Sequence, residues 1–154
     1  MGGPIVRGAI VAGVIVESRD VKGDANGAVL HHLRADSPHF TKFGEVYCST
    51  VREGAVKAWK RHRLMTQRLV IPVGRVFFVL YDNRPDSSTR GRVMEVETGR
   101  DAYGLLVLPP LIWYGFKGLA PGESVIVNCP DIVHDPAEVD RLDSRTAEIP
   151  YAWG

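Results

Sequence analysis

The sequence predicts an all-β, antiparallel fold, either a sandwich or a barrel. Short runs rich in β-branched and aromatic residues recur along the chain, turn-forming residues separate them, and helical periodicity is nearly absent. The chain has 154 residues, of which 45% are hydrophobic. That length suits one well-filled core and is too short for two ordinary domains. We therefore expect a single domain over residues 1–154, ending in an extended C-terminal tail over residues 143–154.

The predicted strands follow one another at short intervals. In chain order they are Ala9–Val16, Ala28–Leu33, Gly44–Val51, Ala55–Lys60, Leu64–Ile71, Arg75–Leu80, Arg92–Val96, Gly104–Leu108, Ile112–Phe116 and Ser124–Cys129. Gly, Pro, Asn and Asp supply turns between them, notably at residues 22–27, 72–74, 82–88 and 120–122. The one helical signal is a short turn over Pro136–Leu142, because Asp135 can cap it and Pro136 fits a first helical position.

Composition excludes several classes of function. The net charge is +1 with acids and bases interleaved, so no basic field indicates nucleic acid or a membrane surface. No apolar run approaches the roughly 18 residues of a membrane helix, and Ile10–Val16 is typical of a strand rather than a signal peptide. Cys48 and Cys129 lie far apart in apolar runs, which favours buried, reduced thiols. We expect a cytoplasmic protein without nucleic-acid or membrane partners.

The segment Gly54–Gly74 has the spacing of a known motif. It reads G-A-V-K-A-W-K-R-H-R-L-M-T-Q-R-L-V-I-P-V-G. It resembles the first signature of the cupin superfamily, G-x5-H-x-H-x4-E-x6-G, with every interval kept. Lys60, His62 and Gln67 stand at the His, His and Glu positions of that signature. The intervals therefore agree with the cupins, whereas two of the three side chains do not.

A second segment resembles the other cupin signature, P-x-G-x-x-H. It lies within Gly104–Phe116, where Leu111 replaces the Gly and Tyr114 replaces the His. Two half-matches in the right order imply a double-stranded β-helix, the cupin jelly roll, with both signatures facing its interior. Cupin metal sites need about three imidazoles and a carboxylate. Only His62 is a good ligand among the four positions, so we expect no metal and no cofactor unless His31 or His32 converges on it.

The closer resemblance is to the dTDP-4-dehydrorhamnose 3,5-epimerase family of sugar-nucleotide cupins, over roughly residues 20–153. Five segments resemble motifs of that family: Asp24–Gly27 resembles D-x-R-G, Gly54–Lys60 resembles G-V-L-R-G-L-H, and Tyr81–Gly91 resembles V-D-x-R-x-x-S-P-T-x-G. Pro109–Phe116 resembles P-P-G-F-A-H-G-F, and Ile149–Trp153 resembles I-x-W. Three segments also resemble motifs of a short branch of that family. Val56–Thr66 resembles W-H-R-H-K-x-M-T, Pro109–Gly118 resembles P-P-x-V-W-N-G-F-K-G, and His134–Pro136 resembles P-H-D-P. The resemblance implies an isomerase of deoxysugar biosynthesis and a homodimer that exchanges N-terminal strands, a role that would suit Ile10–Val16.

The resemblance also implies a catalytic set. Family members abstract a proton beside a 4-keto group with a His base and return it from the opposite face with a Tyr acid. Lys60 stands in the base position. It can act as a base only if burial or nearby cations lower its pKa; otherwise it pairs with a substrate phosphate or carboxylate. His62 shares a strand face with Lys60 and could take the proton instead. Tyr114 could be the acid, since no Tyr lies on the penultimate strand, and Asp82 could orient the base.

The expected substrate-binding set has fewer groups that can bind a phosphate than the family has. Asn26 replaces the Arg of D-x-R-G, which removes a bidentate partner for a diphosphate. His31 stands where the family has a Glu that touches substrate. Lys57, Arg68 and Arg84 match family basic residues, and Arg68 could polarise a 4-keto oxygen. The full expected set is Asn26, His31, Lys57, Gln67, Arg68, Asp82 and Arg84.

Three functions are compatible with these residues. The leading hypothesis is an epimerase-like cupin acting on a nucleotide-linked 4-keto-6-deoxy sugar with an altered catalytic set. The second is a catalytically lapsed cupin that binds a sugar nucleotide or assembles with a partner enzyme without turnover. The third is an isomerase or lyase that reuses the cavity for another anionic small molecule. Loss of the family's His, Tyr and Asp favours the last two, whereas the retained basic residues and tail motifs favour the first.

Overall fold

The computed structural model describes residues 2–154, which form thirteen strands and one short helical turn. The strands are β1 (Ile5–Gly8), β2 (Ile15–Ser18), β3 (Val21–Asp24), β4 (Gly27–Leu30), β5 (Tyr47–Arg52), β6 (Val56–His62), β7 (Gln67–Val73), β8 (Arg75–Asp82), β9 (Val93–Gly99), β10 (Gly104–Leu108), β11 (Ile112–Gly118), β12 (Glu123–Asn128) and β13 (Val139–Arg141). A 3₁₀ turn spans Pro136–Glu138. The predicted all-β class is confirmed.

Two antiparallel sheets form the body of the fold. One has six strands in the order β1-β9-β8-β11-β6-β13, and the other has five in the order β2-β10-β7-β12-β5. Strands β3 and β4 form a separate hairpin. Consecutive strands repeatedly fall in opposite sheets, as in a jelly roll, so the chain winds back and forth across the space between the sheets. The expected cupin arrangement is confirmed.

The core lies between the two sheets. Val76, Phe78 and Leu80 alternate along β8 and are fully buried there, and they belong to the same apolar cluster as Leu69 and Ile71 of β7. This alternation is what a strand with one face on a core requires. The five residues of β10 are all buried, because a second cluster covers the outer face of the five-stranded sheet.

The N-terminal segment differs from its predicted form. One strand was expected over Ala9–Val16, but β1 and β2 flank a turn instead. Gly13 adopts a positive φ of 87°, and Val11 and Val14 insert into the core of their own chain. The apolar run therefore serves the core rather than one continuous strand.

Three other local expectations need correction. The predicted helix over Pro136–Leu142 ends at Glu138, because Val139–Arg141 pairs with the edge of β6 as a strand. Its cap is as expected: the Asp135 side chain accepts a hydrogen bond from the Ala137 N–H at 2.9 Å. The predicted turn at residues 22–27 is the β3–β4 hairpin. Cys129 is buried, but Cys48 is exposed because it lies on the outward face of the edge strand β5.

The C-terminal tail packs on the outer face of the six-stranded sheet. Ile149, Tyr151 and Trp153 contact Trp59 in an aromatic cluster, where the Trp59 and Trp153 ring centroids are 5.2 Å apart. This cluster fixes β6, the strand that carries Lys60 and His62. Within residues 2–154, no helix has both the length and the apolar character needed to cross a membrane.

A buried carboxylate anchors the long turn between β8 and β9. Asp82 is fully buried and accepts hydrogen bonds from Arg84 Nε, Ser87 Oγ and Thr89 Oγ1 at 2.9, 2.5 and 2.6 Å. Burial raises the pKa of Asp82, but these hydrogen bonds lower it by far more, so the carboxyl group is ionised. Arg84 also donates to the Ala12 carbonyl oxygen at 2.7 Å, which ties the N-terminal turn to the same network.

We expect Asp82→Asn to lower the free energy of unfolding by about 2–4 kcal/mol, because it leaves Arg84 without its buried partner. The pKa of Asp82 is lower in the folded chain than the unfolded value of about 3.9. Its stabilisation is therefore present above that pH and is lost as the pH falls towards the folded value. Urea unfolding at pH 7 and at about pH 2.5, which lies below the unfolded pKa, measures both effects, with exposed Asp86→Asn as the control. Equal stability of the two variants at pH 7 would contradict the anchoring role.

Candidate active site

A cavity of about 450 Å³ lies between the two sheets. Strands β6, β11 and β13 of the six-stranded sheet form one wall, and β5, β7 and β12 of the five-stranded sheet form the facing wall. Its lining consists of Tyr47, Ser49, Lys57, Ala58, Trp59, Lys60, Gln67, Leu69, Phe78, Tyr114, Phe116, Ile126, Asn128, Arg141 and Leu142. Apolar side chains with a few convergent polar groups are typical of small-molecule sites.

The cavity is cationic. Lys57, Lys60 and Arg141 line it, and none of the described lining residues is a carboxylate. Burial lowers the pKa of the Lys60 amine, and the charges of Arg141 and Lys57 lower it further. Lys57 Nζ also donates to the Thr50 carbonyl oxygen at 2.6 Å, which holds it at the cavity wall. Since no anion within the lining balances these charges, the cavity suits a ligand with negative charge.

A buried histidine–carboxylate pair lies beside the cavity, next to its lining residue Tyr114. His62 Nδ1 hydrogen-bonds to Glu138 Oε1, and the two residues are 6% and 3% exposed. Glu138 Oε2 accepts from the Leu64 and Met65 backbone amides at 3.0 and 3.2 Å. Burial raises the pKa of Glu138, and the hydrogen bonds from His62 and the two amides lower it by more, so the pKa lies below its usual value. An ionised Glu138 favours the imidazole tautomer with its proton on Nδ1, which leaves Nε2 as an acceptor.

Tyr114 links this pair to the cavity. Its hydroxyl lies 3.4 Å from His62 Nε2, and the two rings are nearly parallel at 13°. Burial raises the pKa of the Tyr114 phenol, and the nearby Tyr47 raises it further. Tyr114 is therefore a protonated phenol that can donate to His62 Nε2. The side chains of Glu138, His62 and Tyr114 therefore form one connected series of polar contacts, which ends at the cavity surface.

The facing wall carries its own polar network. Asn128 Nδ2 donates to the Tyr47 hydroxyl oxygen at 3.0 Å and to Gln67 Oε1 at 3.2 Å. Asn128 Oδ1 accepts from the Arg68 backbone N–H at 3.0 Å, which fixes the orientation of the amide. Tyr47 and Asn128 are directly paired across β5 and β12. Both walls therefore present a tyrosine hydroxyl that is held by a neighbouring side chain.

Three comparisons bear on this arrangement, and no family model matches the chain. The solved structure of a dTDP sugar isomerase from Desulfovibrio desulfuricans is 44% identical, with a TM-score of 0.90, and the match covers 93% of this chain and 92% of that one. The probable low-salt glycan biosynthesis epimerase Agl13 of Haloferax volcanii is 31% identical over 140 residues, which are 88% of this chain and 86% of the relative. The spore coat polysaccharide biosynthesis protein SpsL of Bacillus subtilis is 27% identical over 146 residues, 94% and 97% of the two chains.

The chain belongs to the dTDP-4-dehydrorhamnose 3,5-epimerase family. The resemblance predicted from the cupin spacing and the epimerase motifs is thereby confirmed.

Some residues singled out from the epimerase motifs meet at the cavity. Lys57, Lys60, Gln67 and Tyr114 line it, and His62 lies directly behind Tyr114. Strand alternation predicted Lys60 and His62 on the same face; Lys60 lines the cavity, and His62 reaches it through Tyr114.

Other residues expected from the epimerase motifs lie elsewhere. Asn26 is exposed in the β3–β4 hairpin, and His31 is exposed just after it. Arg68 is buried on the outer side of β7, where it donates to the His39 carbonyl oxygen at 2.8 Å. Since Gln67 faces the cavity, its neighbour on the same strand must face away.

Asp82 and Arg84 pair with each other in the β8–β9 turn, outside the described cavity lining. The carboxylate that orients His62 is therefore Glu138 rather than Asp82.

Four residues of the site were missed by sequence reasoning: Tyr47, Asn128, Glu138 and Arg141. Glu138 and Arg141 fell inside a predicted helical turn, and no local signal there indicates contact with β6. Tyr47 lies at the start of a strand whose cavity-facing side was not predicted. Among residues 2–154, no three His, Cys, Asp or Glu side chains converge as a metal site would require.

We expect the Lys60 amine to react with acetic anhydride at a lower pH than an ordinary lysine, because its lowered pKa leaves more of it deprotonated. Arg141→Gln removes a positive charge beside it and moves this reactivity back to higher pH. Competitive labelling read by mass spectrometry, with exposed Lys42 as the reference amine, measures both changes. Arg145→Gln, an exposed cation outside the cavity lining, is the matched control. Identical pH dependence for Lys60 and Lys42 would refute this description of the cavity.

Proposed function

We propose that the protein is a cytoplasmic epimerase of nucleotide-linked 4-keto-6-deoxy sugars. It removes a proton from a carbon beside the keto group and returns a proton to the opposite face. The observation that carries this proposal is the cavity itself, where uncompensated cations adjoin the buried His62–Tyr114 pair. Membership of the epimerase family and 44% identity to a dTDP sugar isomerase support the same substrate class.

The cations account for the nucleotide part of the substrate. Lys57 and Arg141 can pair with the oxygens of a diphosphate, and a guanidinium does so with two hydrogen bonds. The apolar lining, which includes Phe78 and Phe116, suits the less polar faces of a deoxysugar ring. A volume of about 450 Å³ accommodates one sugar with part of its diphosphate.

The β6–β11 wall supplies the proton acceptor. The C–H bond beside the keto group breaks, and its proton passes to the Tyr114 oxygen while Tyr114 gives its own proton to His62 Nε2. The electron pair of that bond becomes the double bond of an enolate, with the negative charge on the former keto oxygen. Glu138 stabilises the imidazolium, and Lys60 stabilises the enolate oxygen as a cation.

Lys60 is the second candidate for the base, because its lowered pKa makes the free amine accessible. The variants below separate these two roles.

A homodimer would complete the site. The β3–β4 hairpin pairs with neither sheet: Val21 and Leu30 at its base pack on the outer cluster of the five-stranded sheet, whereas Val29 is 59% exposed. Two-stranded hairpins are marginally stable by themselves, and a second copy of the chain would cover the part of this hairpin that stays exposed. In the homodimer it lies over the second copy's cavity, where Asn26 and His31 become substrate-binding residues.

The deciding experiment is proton exchange. We expect the protein, incubated with dTDP-4-keto-6-deoxyglucose in deuterated water, to incorporate deuterium at C3 or C5, because each round of abstraction draws the new proton from solvent. NMR of the sugar signals measures it. Binding of the nucleotide sugar without any deuterium would contradict the epimerase and favour a lapsed cupin.

Variants then identify the base. His62→Asn should slow exchange by about 100-fold or more if the His62–Tyr114 pair accepts the proton. Lys60→Gln should slow it less if Lys60 stabilises the oxygen, and should abolish it if Lys60 is the base. His134→Asn alters an exposed imidazole outside the cavity lining and is the control. Full exchange in His62→Asn would exclude the pair as the base.

We expect Val29→Asp to weaken the dimer, because it replaces an exposed apolar side chain of the hairpin with a charge. Light scattering after size exclusion should give twice the chain mass of 17.0 kDa for the wild type and a lower mean mass for the variant. Val133→Asp changes an equally exposed Val outside the hairpin and should leave the mass unchanged. A wild type that is monomeric at every concentration would disprove the dimer.

A further inference from the structure

Inversion of a carbon sets a geometric requirement that the proposed base does not meet alone. Lys60, His62 and Tyr114 all lie on β6 and β11, which are neighbouring strands of one sheet. A proton returned from that wall would re-form the original configuration. The proton that inverts the carbon must therefore come from the facing wall.

The facing wall offers few proton donors. Its polar side chains in the cavity are Tyr47, Ser49, Gln67 and Asn128. Carboxamides do not act as acids, and a serine hydroxyl is far less acidic than a phenol. Tyr47 is the one phenol on this wall among the described lining residues.

We propose that Tyr47 is the general acid that protonates the enolate on the face opposite Tyr114. This assignment rests on the proposed epimerase function. In the step, the Tyr47 O–H bond breaks and the enolate electron pair forms the new C–H bond. The keto group is restored, and Tyr47 is left as a phenolate.

The contacts of Tyr47 suit this role. Its oxygen accepts a hydrogen bond from Asn128 Nδ2 at 3.0 Å, so its own proton is free to point elsewhere. The amide cannot turn to present its oxygen instead, since Asn128 Oδ1 already accepts from the Arg68 backbone N–H. The same Nδ2–H group stabilises the phenolate after proton transfer.

The ionisation of Tyr47 is consistent with an acid. Burial raises the pKa of its phenol, which keeps it protonated before reaction, whereas the hydrogen bond from Asn128 lowers the pKa and opposes an excessive rise. Tyr47 lies close enough to Tyr114 for its charge to raise the pKa of Tyr114. Tyr47 also lies on the edge strand β5 and is only partly buried, so solvent can restore its proton.

The test uses the whole protein, dTDP-4-keto-6-deoxyglucose and deuterated water, and it scores exchange and inversion separately. In Tyr47→Phe we expect the rate of inverted product to fall about 100-fold or more, the usual range for a lost general acid. Deuterium should still enter the recovered, uninverted substrate, because the base wall is intact. Tyr81→Phe removes a phenol hydroxyl outside the cavity lining and should behave as the wild type.

The outcomes separate this proposal from the function on which it rests. No deuterium in either form with the wild type overturns the epimerase and this assignment together. Exchange and inversion in the wild type, with undiminished inversion in Tyr47→Phe, overturns the assignment of Tyr47 alone. Loss of both exchange and inversion in a Tyr47→Phe variant that melts like the wild type also overturns it, because the residue would then serve binding or the base. If Tyr47→Phe does not fold, Tyr47→Gln gives the same reading, since an amide fills the position without being an acid.

Discussion

The buried contact between Glu138 and His62 organises this end of the molecule. Glu138 reaches β6 from a 3₁₀ turn, and its carboxylate also accepts the amides of Leu64 and Met65. The turn is further held by the Arg63 N–H, which donates to the Glu138 carbonyl oxygen at 2.8 Å, and β13 follows at once along the edge of β6. A single side chain thus closes the loop after β6, starts the strand that carries Arg141, and sets the tautomer of the imidazole.

The space between the sheets is divided between packing and chemistry. Around Val76, Leu80 and Leu106 it is filled by apolar side chains, which supply the burial that a β fold of this size needs. Towards β5, β6 and β13 the same space stays open and holds the polar side chains of the site. Partly burying Lys60 and fully burying Tyr114 there disfavours the charged form of each, as the directions of their pKa shifts indicate. The apolar half stabilises a site that would be unfavourable by itself.

Residue spacing predicted much of the fold and part of the site, because it depends on strand length and on the alternation of side chains along a strand. The intervals of Gly54–Gly74 predicted two strands that line the barrel interior, which are β6 and β7 in the two facing sheets. Alternation predicted Lys60 and His62 on one face of β6. The same rule, applied to β7, would have separated Gln67 from Arg68, which cannot both face the cavity. Residue spacing could not predict contacts between segments that are far apart in the sequence. Nothing local indicates that Glu138 meets β6, because that contact joins residues 76 positions apart.

The catalytic substitutions become intelligible when the walls of the cavity are considered rather than single positions. Inversion requires one proton acceptor and one donor on facing walls, and it does not require that either stand on a given strand. The penultimate strand of this chain carries Asn128 and no phenol, but its neighbour β5 brings Tyr47 into register with Asn128. The amide then holds from one strand the phenol supplied by the next. On the other wall, His62 lies two residues after Lys60 on β6 and is held by Glu138. The proton acceptor therefore stays on the same strand and the same wall of the cavity. The jelly roll fixes two opposed surfaces at a set separation, and a proton-transfer pair can move between adjacent strands without losing that opposition.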